Sequence, residues 1–341
     1  MKITARDIAR LARVSTRTVS RVLNGDIHVR GETRERVLAA IRETQYRPNT
    51  IASLRRSPTQ TLGVMVGHSP DVVFSNPFFA EMLRGIGRTT AMQGYKVVLM
   101  TYSQDWTKGD LINNRLVDGL ILMSLRQDDP MVTHLQELGL PFVQTSRNEM
   151  VPYVDVDNVS GGYLAVTHLV QQGHRRIGLI NGPLELPSSR ERQAGYKKAL
   201  LEAGISYDQE LVVTATFSED AGYEVAQHFL RMADIPTAIF VTADLMAMGA
   251  MRAIHQFGLS VPGDISLIGF DGVSLGQYMN PPLTTINQQG ERKGAVAAEL
   301  LLRMVRGEEP RPLQITLSPE LIVRQSTCPP RKMAQLEAIR G

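Results

Sequence analysis

Residues 7–25 read DIARLARVSTRTVSRVLNG and predict two short helices joined by a tight turn. The spacing of Ile8 and Leu11 gives the first helix an apolar edge. The second helix begins at Ser15 and ends at Asn24, which precedes a glycine that favours a helix end. A small all-helical unit is therefore expected at the start of the chain.

The second of these helices has one face of hydrogen-bond donors and an opposite apolar face. The donor face comprises Thr16, Arg17, Ser20 and Arg21. The apolar face comprises Val19, Val22 and Leu23. A third helix is expected over residues 32–44, and its apolar stripe comprises Val37, Leu38 and Ile41. Three short helices around one core predict a helix-turn-helix, whose second helix enters the major groove of DNA. The candidates for contact with bases are Thr16, Arg17 and Arg21, because Arg can donate two hydrogen bonds to guanine and Thr can meet a base edge.

The positive charge of the chain is concentrated at its start. Residues 1–60 contain 13 Lys and Arg against 5 Asp and Glu. The whole chain has 37 against 34, a net charge of +3, so the remainder is net negative. A cationic head on an acidic body indicates a polyanionic partner. A run of arginines is also typical of a solvated helix face, so the order of the motifs has to decide between the two interpretations.

That order resembles the LacI/GalR family of bacterial transcription regulators. The similarity lies in the run VSTRTVSRVLN, passes through ETRERV and YRPN into a linker, and continues to about Thr327. It implies a helix-turn-helix DNA-binding domain over residues 1–47 and a hinge helix or linker over residues 48–60. The DNA contacts that it implies are Thr4, Arg6, Ser15, Thr16, Arg17, Ser20, Arg21, Asn24, Leu54 and Arg55.

The linker departs from the family pattern by one residue. Family members place a leucine seven residues after the proline of the YxPN run, where it enters the minor groove as an apolar wedge. Here Leu54 lies six residues after Pro48, and Arg55 lies seven after it. Because one residue turns a helical side chain by about 100°, either the hinge helix begins one residue earlier or the wedge is displaced. We expect Leu54 to be the wedge, since it forms an i, i+3 pair with Ile51 and leaves Arg55 for phosphate contacts.

Beyond the linker, apolar strand-like runs alternate with amphipathic helices. TLGVMVG, VDGLILMS, RIGLING, AIFVTAD and ISLIGFDG are examples of the strands. The alternation is typical of βαβ units on parallel sheets, and its restart after VDVDN indicates two sheets, and thus two lobes with a cleft. The expected fold class is a helical head plus an α/β body similar to a two-lobed periplasmic binding protein. The effector-binding and dimerisation domain would cover residues 61–330, with a first lobe of about 61–157 and 288–316, a second lobe of about 158–287 and 317–330, and a flexible tail of 331–341.

Ligands of such sheets bind beyond the carboxyl ends of the strands, here between the lobes. The resemblance implies a small-molecule effector at this place, a saccharide or a sugar derivative. Arg190 is expected as its anchor through the donor fork of the guanidinium, and Asp271 is expected to accept hydrogen bonds from sugar hydroxyls. The full set of expected contacts is Asn76, Phe79, Ser124, Ser146, Arg190, Phe217, Asp244, Asp271 and Gln288. For the members other than Arg190 and Asp271, a purely structural role is the alternative.

Two departures from the family pattern bear on the effector. A strand that usually ends in Asp-Arg ends in Ser146-Arg147, and the usual Ala-Asn-Asp run reads Thr242-Ala243-Asp244. Two standard sugar contacts are therefore missing. This favours a larger sugar, a sugar acid or phosphate, or a differently posed ligand over a hexose held by both. The runs NPFFAEMLRGI and RLVDGLIL are most similar to maltose and α-glucoside regulators within the family.

Composition and motifs argue against several other classes. The single cysteine, Cys328, excludes an intramolecular disulfide framework, and the histidines lack a metal-ligand spacing, so neither metal nor cofactor is expected. The start MKITARD lacks a secretory signal, and no apolar run approaches the ~20 residues that span a bilayer. Both observations favour the cytoplasm, near the nucleoid, and disfavour a sugar-binding transport protein. The absence of a nucleophile elbow or a phosphate-binding loop disfavours an enzyme.

The expected assembly is a homodimer, because two heads are needed to read a pseudo-palindromic operator. The tail from Arg331 is too short to favour a helix-mediated tetramer. An effector in the cleft would change the angle between the lobes and so the affinity for DNA. Repression relieved by a sugar is the expected direction, and control by a protein corepressor is the alternative.

Overall fold

A computed structural model of the chain describes residues 5–23, 29–44, 58–101, 112, 116–126 and 128–331. The chain divides into two compact units, Met1–Thr59 and Gln60–Gly341. The expected DNA contacts Thr4, Asn24, Leu54 and Arg55 lie outside the described residues, as does the tail beyond Arg331.

Over residues 5–23 and 29–44, the first unit has three helices around a small apolar core. They are α1 (Ala5–Leu11), α2 (Thr16–Leu23) and α3 (Gly31–Thr44). Ser15 begins α2 as an N-cap, because its Oγ accepts a hydrogen bond from the backbone N–H of Thr18 at 3.1 Å. The buried core comprises Ile8, Ala9, Ala12, Val19, Val22, Val37 and Ala40.

Two leucines that were expected in this core are exposed, so that part of the prediction is wrong. Leu11 is 53% exposed and Leu38 is 37% exposed. On α1 the inward face is formed by Ile8, Ala9 and Ala12, and Leu11 points about 100° away from the middle of that face. A similar rotation of about 100° per residue carries Leu38 off the inward stripe of α3. Small alanines allow the three helices to approach closely, so the core does not need the larger side chains.

The second unit alternates strands and helices. In chain order its elements are β1 (Thr61–Val66), α4 (Pro70–Ser75), α5 (Pro77–Met92), β2 (Lys96–Thr101), β3 (Gly119–Met123), α6 (Pro130–Leu138), β4 (Phe142–Gln144), β5 (Tyr153–Val156), α7 (Asn158–Gln171), β6 (Ile177–Asn181), α8 (Pro187–Glu202), β7 (Val212–Thr214), α9 (Glu219–Leu230), β8 (Ala238–Val241), α10 (Asp244–Gln256), β9 (Ser266–Asp271), β10 (Thr284–Asn287), α11 (Gly290–Val305), β11 (Gln314–Leu317) and β12 (Glu320–Ile322). Short 3-10 turns, Gln209–Leu211 and Ser274–Tyr278, precede β7 and follow β9.

The strands of the described ranges form two six-stranded sheets. The order in the first sheet is β11-β5-β4-β3-β1-β2, and all of its pairings are parallel. The order in the second sheet is β12-β10-β9-β8-β6-β7, which is parallel except that β12 runs antiparallel to β10. Each sheet has a separate apolar core on each of its two faces. We call the first sheet with its helices the first lobe, and the second sheet with its helices the second lobe. The predicted two-lobed α/β fold class is confirmed.

Three pairs of helices cross with very close backbones. The pairs are α5 with α11, α7 with α8, and α9 with α10, and each helix contributes a glycine to its crossing. A Cβ added at Gly85 of α5 would lie 1.9 Å from a carbonyl oxygen of α11, and one added at Gly249 of α10 would lie 1.8 Å from a carbonyl oxygen of α9. Only glycine fits at such distances, so these positions fix how the helices pack.

The chain passes between the lobes three times. The first crossing is Asp157, between β5 and α7, and its carboxylate caps α7 by accepting a hydrogen bond from the N–H of Ser160 at 2.9 Å. The second crossing is Gln288 and Gln289, between β10 and α11. The third joins β11 to β12 through Ser318, whose carbonyl accepts a hydrogen bond from Nε2 of Gln289 at 2.6 Å. The second and third crossings are therefore tied to each other.

Candidate functional site

A cleft lies between the two lobes, where the parallel strands of both sheets have their carboxyl ends. Its volume is about 60 Å³ at the inner end and about 460 Å³ at the outer end. The first lobe lines the inner end with His68, Asn76, Phe79, Ser124, Ser146, Asp155 and Lys293, among others. The second lobe and the second crossing line it with Leu186, Arg192, Phe217, Asp271 and Gln288, among others. Seven of the nine expected effector contacts are thus brought together here, and Arg190 and Asp244 are not.

Aromatic rings give the cleft apolar surface on both sides. Phe79 is 3% exposed and also belongs to the core of the first lobe, with its ring 5.8 Å from that of His68. Phe217 lies on the opposite side, at the inner and the outer end of the cleft alike. Asn76 is held as the N-cap of α5, because its Oδ1 accepts a hydrogen bond from the N–H of Phe78 at 3.0 Å. Rings next to fixed polar groups form a surface that suits a ligand with apolar faces and hydroxyl edges.

Arg192 is the most deeply buried cation of the second lobe wall, at 5% exposure. It donates from Nη1 to the carbonyl of Thr242 at 2.6 Å and from Nε to Oδ1 of Asn158 at 2.9 Å. Its guanidinium lies 3.8 Å from the ring centroid of Phe270, and Nη1 is 3.8 Å from Oδ1 of Asp271. Burial lowers the pKa of Arg192, and the nearby carboxylates oppose that shift. The side chain is held rigidly at the cleft wall.

The arginine named from sequence, Arg190, does not line the inner or the outer end of the cleft. It is exposed on α8 and donates to the carbonyl of Leu184 at 2.6 Å. Arg190 contributes to a separate shallow pocket with Arg147 and Glu191. Because two residues along a helix correspond to a turn of about 200°, Arg190 and Arg192 point in nearly opposite directions. The prediction was two residues out of register, and the structure corrects the cleft arginine to Arg192.

Asp271 is 4% exposed and ends β9 with a backbone φ of 132°, in a region that non-glycine residues rarely adopt. Its Oδ1 accepts a hydrogen bond from Nε2 of Gln288 at 2.6 Å. Burial raises the pKa of Asp271 to about 6, although the charge of Arg192 and the hydrogen bonds from the N–H of Asp244 and from Gln288 lower it. Gln288 is 1% exposed, and its Oε1 accepts no hydrogen bond from any described residue. Strain and unused hydrogen-bonding capacity therefore coincide at this point of the cleft.

Asp244 lies behind the cleft wall, which corrects its expected role as an effector contact. Its Oδ2 accepts hydrogen bonds from the N–H groups of Gly272 and Val273, both at 2.9 Å, and its Oδ1 accepts one from Thr285 at 2.6 Å. Burial, and next the charge of Asp271, raise the pKa of Asp244 well above the usual range. The carboxylate ties the loop after β9 to Thr285 of β10, so Asp244 positions Asp271.

The first lobe contributes polar residues that the sequence argument missed. Asp155 and Lys293 form an ion pair of 2.6 Å in the cleft wall. Asn158, at the first crossing, donates from Nδ2 to Asp155 at 3.4 Å and to Glu191 of the second lobe at 3.1 Å. Burial, and next the charge of Asp155, raise the pKa of Glu191. The run VDVDN already contained the signal for Asp155, a carboxylate at the end of a strand, whereas nothing in the spacing distinguishes Lys293.

Ser124 and Ser146 line the cleft at the ends of β3 and β4. Ser124 has a backbone φ of 54° and lies at both the inner and the outer end. Ser146 is half-buried, so its hydroxyl can take part in contacts with a ligand. Both positions provide a hydroxyl and no charge, which leaves the charged contacts to the groups deeper in the cleft.

In the first unit, α2 presents the expected donor face. Ser15, Thr16, Arg17 and Arg21 are exposed, whereas Val19 and Val22 of the same helix are buried. The Oγ of Ser15 is used for the N-cap of α2. The side chains of Arg6 and Ser20 lie outside the described part of the chain. A short helix with basic and hydroxyl side chains outside and valines inside is the arrangement that reads a major groove.

Within the described ranges, no group of three or more His, Cys, Asp or Glu side chains is arranged to hold a metal ion. Among the helices of that same part, none combines the length and apolarity needed to cross a bilayer.

Comparison with known proteins gives two matching family descriptions. Residues 4–49 match "Bacterial regulatory proteins, lacI family", and residues 166–327 match "Periplasmic binding protein-like domain". The two matches fall on the helical head and on the body, with the second covering most of the second lobe.

Similar proteins extend the match over nearly the whole chain. HTH-type transcriptional regulator CelR of Thermobifida fusca is 37% identical over 328 residues, which is 94% of this chain and 96% of that protein. A structure of a CelR–cellobiose complex has a TM-score of 0.74 at 36% identity and covers 95% of this chain and 99% of its own. HTH-type transcriptional repressor PurR of Photobacterium profundum is 36% identical over 337 residues, 95% of this chain and 98% of that protein. The lac repressor dimer bound to operator and the anti-inducer ONPF has a TM-score of 0.69 at 31% identity, covering 96% of this chain and 100% of its own.

Proposed function

We propose, from the premise that this chain belongs to the LacI family of bacterial regulatory proteins, that its affinity for operator DNA is set by a small saccharide in the interlobe cleft. The chain is a DNA-binding transcriptional regulator. The observation that carries the saccharide assignment is the wall formed by Arg192, Asp271 and Gln288, which are buried and face Phe79 across the cleft. Fixed donors and acceptors next to an aromatic ring provide what a sugar requires.

Two observations favour a saccharide of two rings. The relative CelR was solved with cellobiose, and the first-lobe motifs favour the maltose and α-glucoside subgroup. Both sugars consist of two glucose units and differ in the linkage between them. The outer end of the cleft, at about 460 Å³, provides room for a second ring beyond the narrow inner end. We therefore propose a disaccharide of this type as the effector, with its subgroup to be decided by titration.

The DNA partner is a pseudo-palindromic operator read by a homodimer, as in the lac repressor dimer on its operator. We propose residues 1–47 as the reading domain, in which Thr16 and Arg17 meet bases and Arg21 meets bases or phosphates. Residues 48–60 would form the hinge, and residues 61–330 would bind effector and dimerise. The proposed place of action is the cytoplasm at the nucleoid, and no catalytic step is assigned to the chain.

Effector control requires a ligand that binds one arrangement of the lobes more tightly than another. A direct contact between the lobes lies beside the second crossing, where the N–H of Ser274 donates to Oε1 of Glu81 at 2.8 Å. A sugar held by both walls would stabilise this closed arrangement. A coupling free energy of ~1–3 kcal/mol corresponds to a change of several-fold to a hundred-fold in DNA affinity. We propose relief of repression as the direction.

The test combines two measurements on the full chain. A thermal-shift screen of maltose, cellobiose and monosaccharides identifies the ligand, since a saccharide at 100 times its dissociation constant adds ~2.7 kcal/mol of stability. Operator binding is then measured with and without that sugar. A stabilising sugar that leaves operator affinity unchanged contradicts effector control, and stabilisation by none of the sugars favours the protein corepressor.

A further inference from the structure

The first lobe places a buried ion pair in the wall of the cleft. Lys293 lies in the first turn of α11, just after the second crossing, and its Nζ is 2.6 Å from Oδ1 of Asp155 in β5. Lys293 is 4% exposed and Asp155 is 2% exposed. Both line the inner end of the cleft, and Asn158 joins Asp155 to Arg192 by a hydrogen bond to each.

Lys293 and Gln288 keep hydrogen-bonding capacity that the described protein groups do not use, whereas Asp155 already accepts from the N–H groups of Arg147 and Val156, from Asn158 and from Lys293. A lysine ammonium has three N–H donors, and one described acceptor, Asp155, takes a hydrogen bond from it. Gln288 donates from Nε2 to Asp271, while its Oε1 is buried and accepts nothing from the described residues. Gln288 binds Asp271, and the charge of Lys293 lowers the pKa of the same carboxyl. Lys293 and Gln288 therefore belong to one cluster around Asp271.

Stability of the lobe does not explain such an arrangement. Desolvating two charges offsets most of their attraction, and apolar side chains of the same volume often serve equally well or better. A buried amide oxygen without a donor lowers stability further. Groups that are unfavourable for folding and aimed into a cleft are typical of a binding site.

We propose that Lys293 and Gln288, with Asp155 holding the ammonium in place, form a subsite for two adjacent hydroxyls of a neutral saccharide, an inference that rests on the proposed function of the cleft. One hydroxyl accepts a hydrogen bond from Nζ of Lys293 and donates its own proton to Oε1 of Gln288. The neighbouring hydroxyl accepts a hydrogen bond from the remaining N–H of Lys293. This subsite is the first-lobe half of the binding site, and Arg192 with Asp271 is the second-lobe half.

The charge balance of the wall selects the class of sugar. Its two cations, Lys293 and Arg192, are matched by two carboxylates, Asp155 and Asp271. A phosphate or a sugar carboxylate would meet a carboxylate beside each cation, and its desolvation would not be compensated. A neutral polyol accepts hydrogen bonds from the cations and adds no charge to this balanced wall. The proposal therefore disfavours a sugar acid or a sugar phosphate.

Titration calorimetry on the full chain tests the subsite, with maltose, cellobiose, gluconate and glucose 6-phosphate as probes. Lys293→Met keeps the length of the side chain and removes its donors. Because it leaves Asp155 as an unpaired buried charge, the double variant Lys293→Met with Asp155→Asn is measured as well; the amide keeps an acceptor for the N–H of Arg147, which Asp155 binds at 2.8 Å. Lys198→Met, at an exposed position of α8, is the matched control.

We expect the wild-type chain to bind one of the neutral disaccharides and neither anion. Both Lys293 variants should bind that disaccharide about 10- to 100-fold more weakly, and Lys198→Met should bind it within about two-fold. Unchanged affinity in the folded double variant, or tighter binding of an anionic probe by the wild type, overturns the subsite while the saccharide effector stands. Failure of the wild type to bind any of the probes, with operator binding intact, overturns the saccharide assignment itself.

Discussion

Replacing Arg192 by Ala should destabilise the body by an amount that depends on pH. The guanidinium is 5% exposed and lies 3.8 Å from the carboxylate of Asp271. Removing one partner of a buried pair leaves the other charge uncompensated, which costs about 3–5 kcal/mol. The substitution also leaves the carbonyl of Thr242 and Oδ1 of Asn158 without the donor that each has at present.

The pH dependence follows from Asp271. Burial raises the pKa of this carboxyl to about 6 in the folded chain, and the charge of Arg192 holds it from rising further. A carboxyl with a raised folded pKa stabilises the fold below its unfolded pKa, and this contribution is lost as pH rises through the folded pKa. Without Arg192 the pKa of Asp271 in the folded chain rises further. Ionising this carboxyl at alkaline pH then lowers the free energy of unfolding by more than it does in the wild type. Below about pH 5 Asp271 is protonated in both proteins, and only the unpaired acceptors remain as a cost of about 1–3 kcal/mol.

Urea unfolding of the full chain at pH 8 and pH 5 measures both terms. We expect Arg192→Ala to lower the free energy of unfolding by about 3–5 kcal/mol at pH 8 and by about 1–3 kcal/mol at pH 5. Arg190→Ala, two residues away on the exposed side of α8, is the control and should change it by at most about 0.5 kcal/mol. A loss for Arg192→Ala that is equal at both pH values, or smaller than that of Arg190→Ala, would refute the assignment of a buried charge pair.

Four further predictions concern packing, DNA and the closure of the cleft. Gly85→Ala should destabilise the first lobe by about 2 kcal/mol or more, because its Cβ would lie 1.9 Å from a carbonyl oxygen of α11. Gly87 lies on the same helix with no atom within 4 Å of an added Cβ, so Gly87→Ala should stabilise the lobe by up to about 1 kcal/mol. Equal thermal shifts for the two variants would contradict the close crossing. Arg17→Ala should weaken binding to operator by about 1–3 kcal/mol and to random DNA only slightly; equal losses in fluorescence anisotropy would assign Arg17 to phosphates. Leu54→Ala should reduce the bend of operator DNA in a circular-permutation gel assay, and an unaltered bend would place the wedge elsewhere. Glu81→Ala removes the 2.8 Å contact to the second lobe and should raise the dissociation constant of the effector several-fold, which an unchanged titration would contradict.

Local pattern was sufficient to predict the head. Alternation of donor and valine positions along eight residues fixes which face of α2 is buried, and no contact distant in sequence is needed for that inference. The pattern failed where it relied on residue size. Leu11 was expected inside because leucine is apolar, yet the face that includes Ala9 and Ala12 packs more closely. Helix spacing, which sequence alone does not give, decides between the two.

For the cleft, the sequence predicted which edge of the sheets forms the site, but not which side chains of α8 face it. The order of strands and helices predicted that carboxyl ends from both sheets would face one crevice, and Asp271 lies there. Arg190 was chosen from a run with two arginines in three positions, SSRER, and the phase of α8 relative to the sheet decides which of them turns inward. That phase is set by the close crossing of α7 and α8, where an added Cβ at Gly162 would lie 2.3 Å from the carbonyl oxygen of Arg192. A pair of glycines on two helices fixes the rotation, and single-sequence reasoning does not see the pair.

Lys293 was missed for a different physical reason. In the sequence it is a lysine in the first turn of an amphipathic helix, where a charged residue is normally solvated. In the fold, α11 begins directly at the second crossing, so the side of its first turn that carries Lys293 faces the cleft, while Arg292 of the same turn is exposed. The partner that makes burial tolerable, Asp155, lies 138 residues earlier in the chain. The two residues meet because the chain returns to the first lobe at the second crossing, and no local sequence pattern indicates that contact.

The distribution of charge between the lobes suggests how binding is converted into a change of state. Each lobe contributes one cation and one carboxylate to the wall, Lys293 with Asp155 and Arg192 with Asp271. Each pair is neutral by itself, so bringing the lobes together creates little net attraction or repulsion in the absence of ligand. A polyol that reaches both pairs makes hydrogen bonds to charged groups at two places whose separation is set by the interlobe angle, and it therefore favours one angle over the others. A ligand that reaches only one pair binds both arrangements with equal free energy, and such a ligand shifts no equilibrium however tightly it binds.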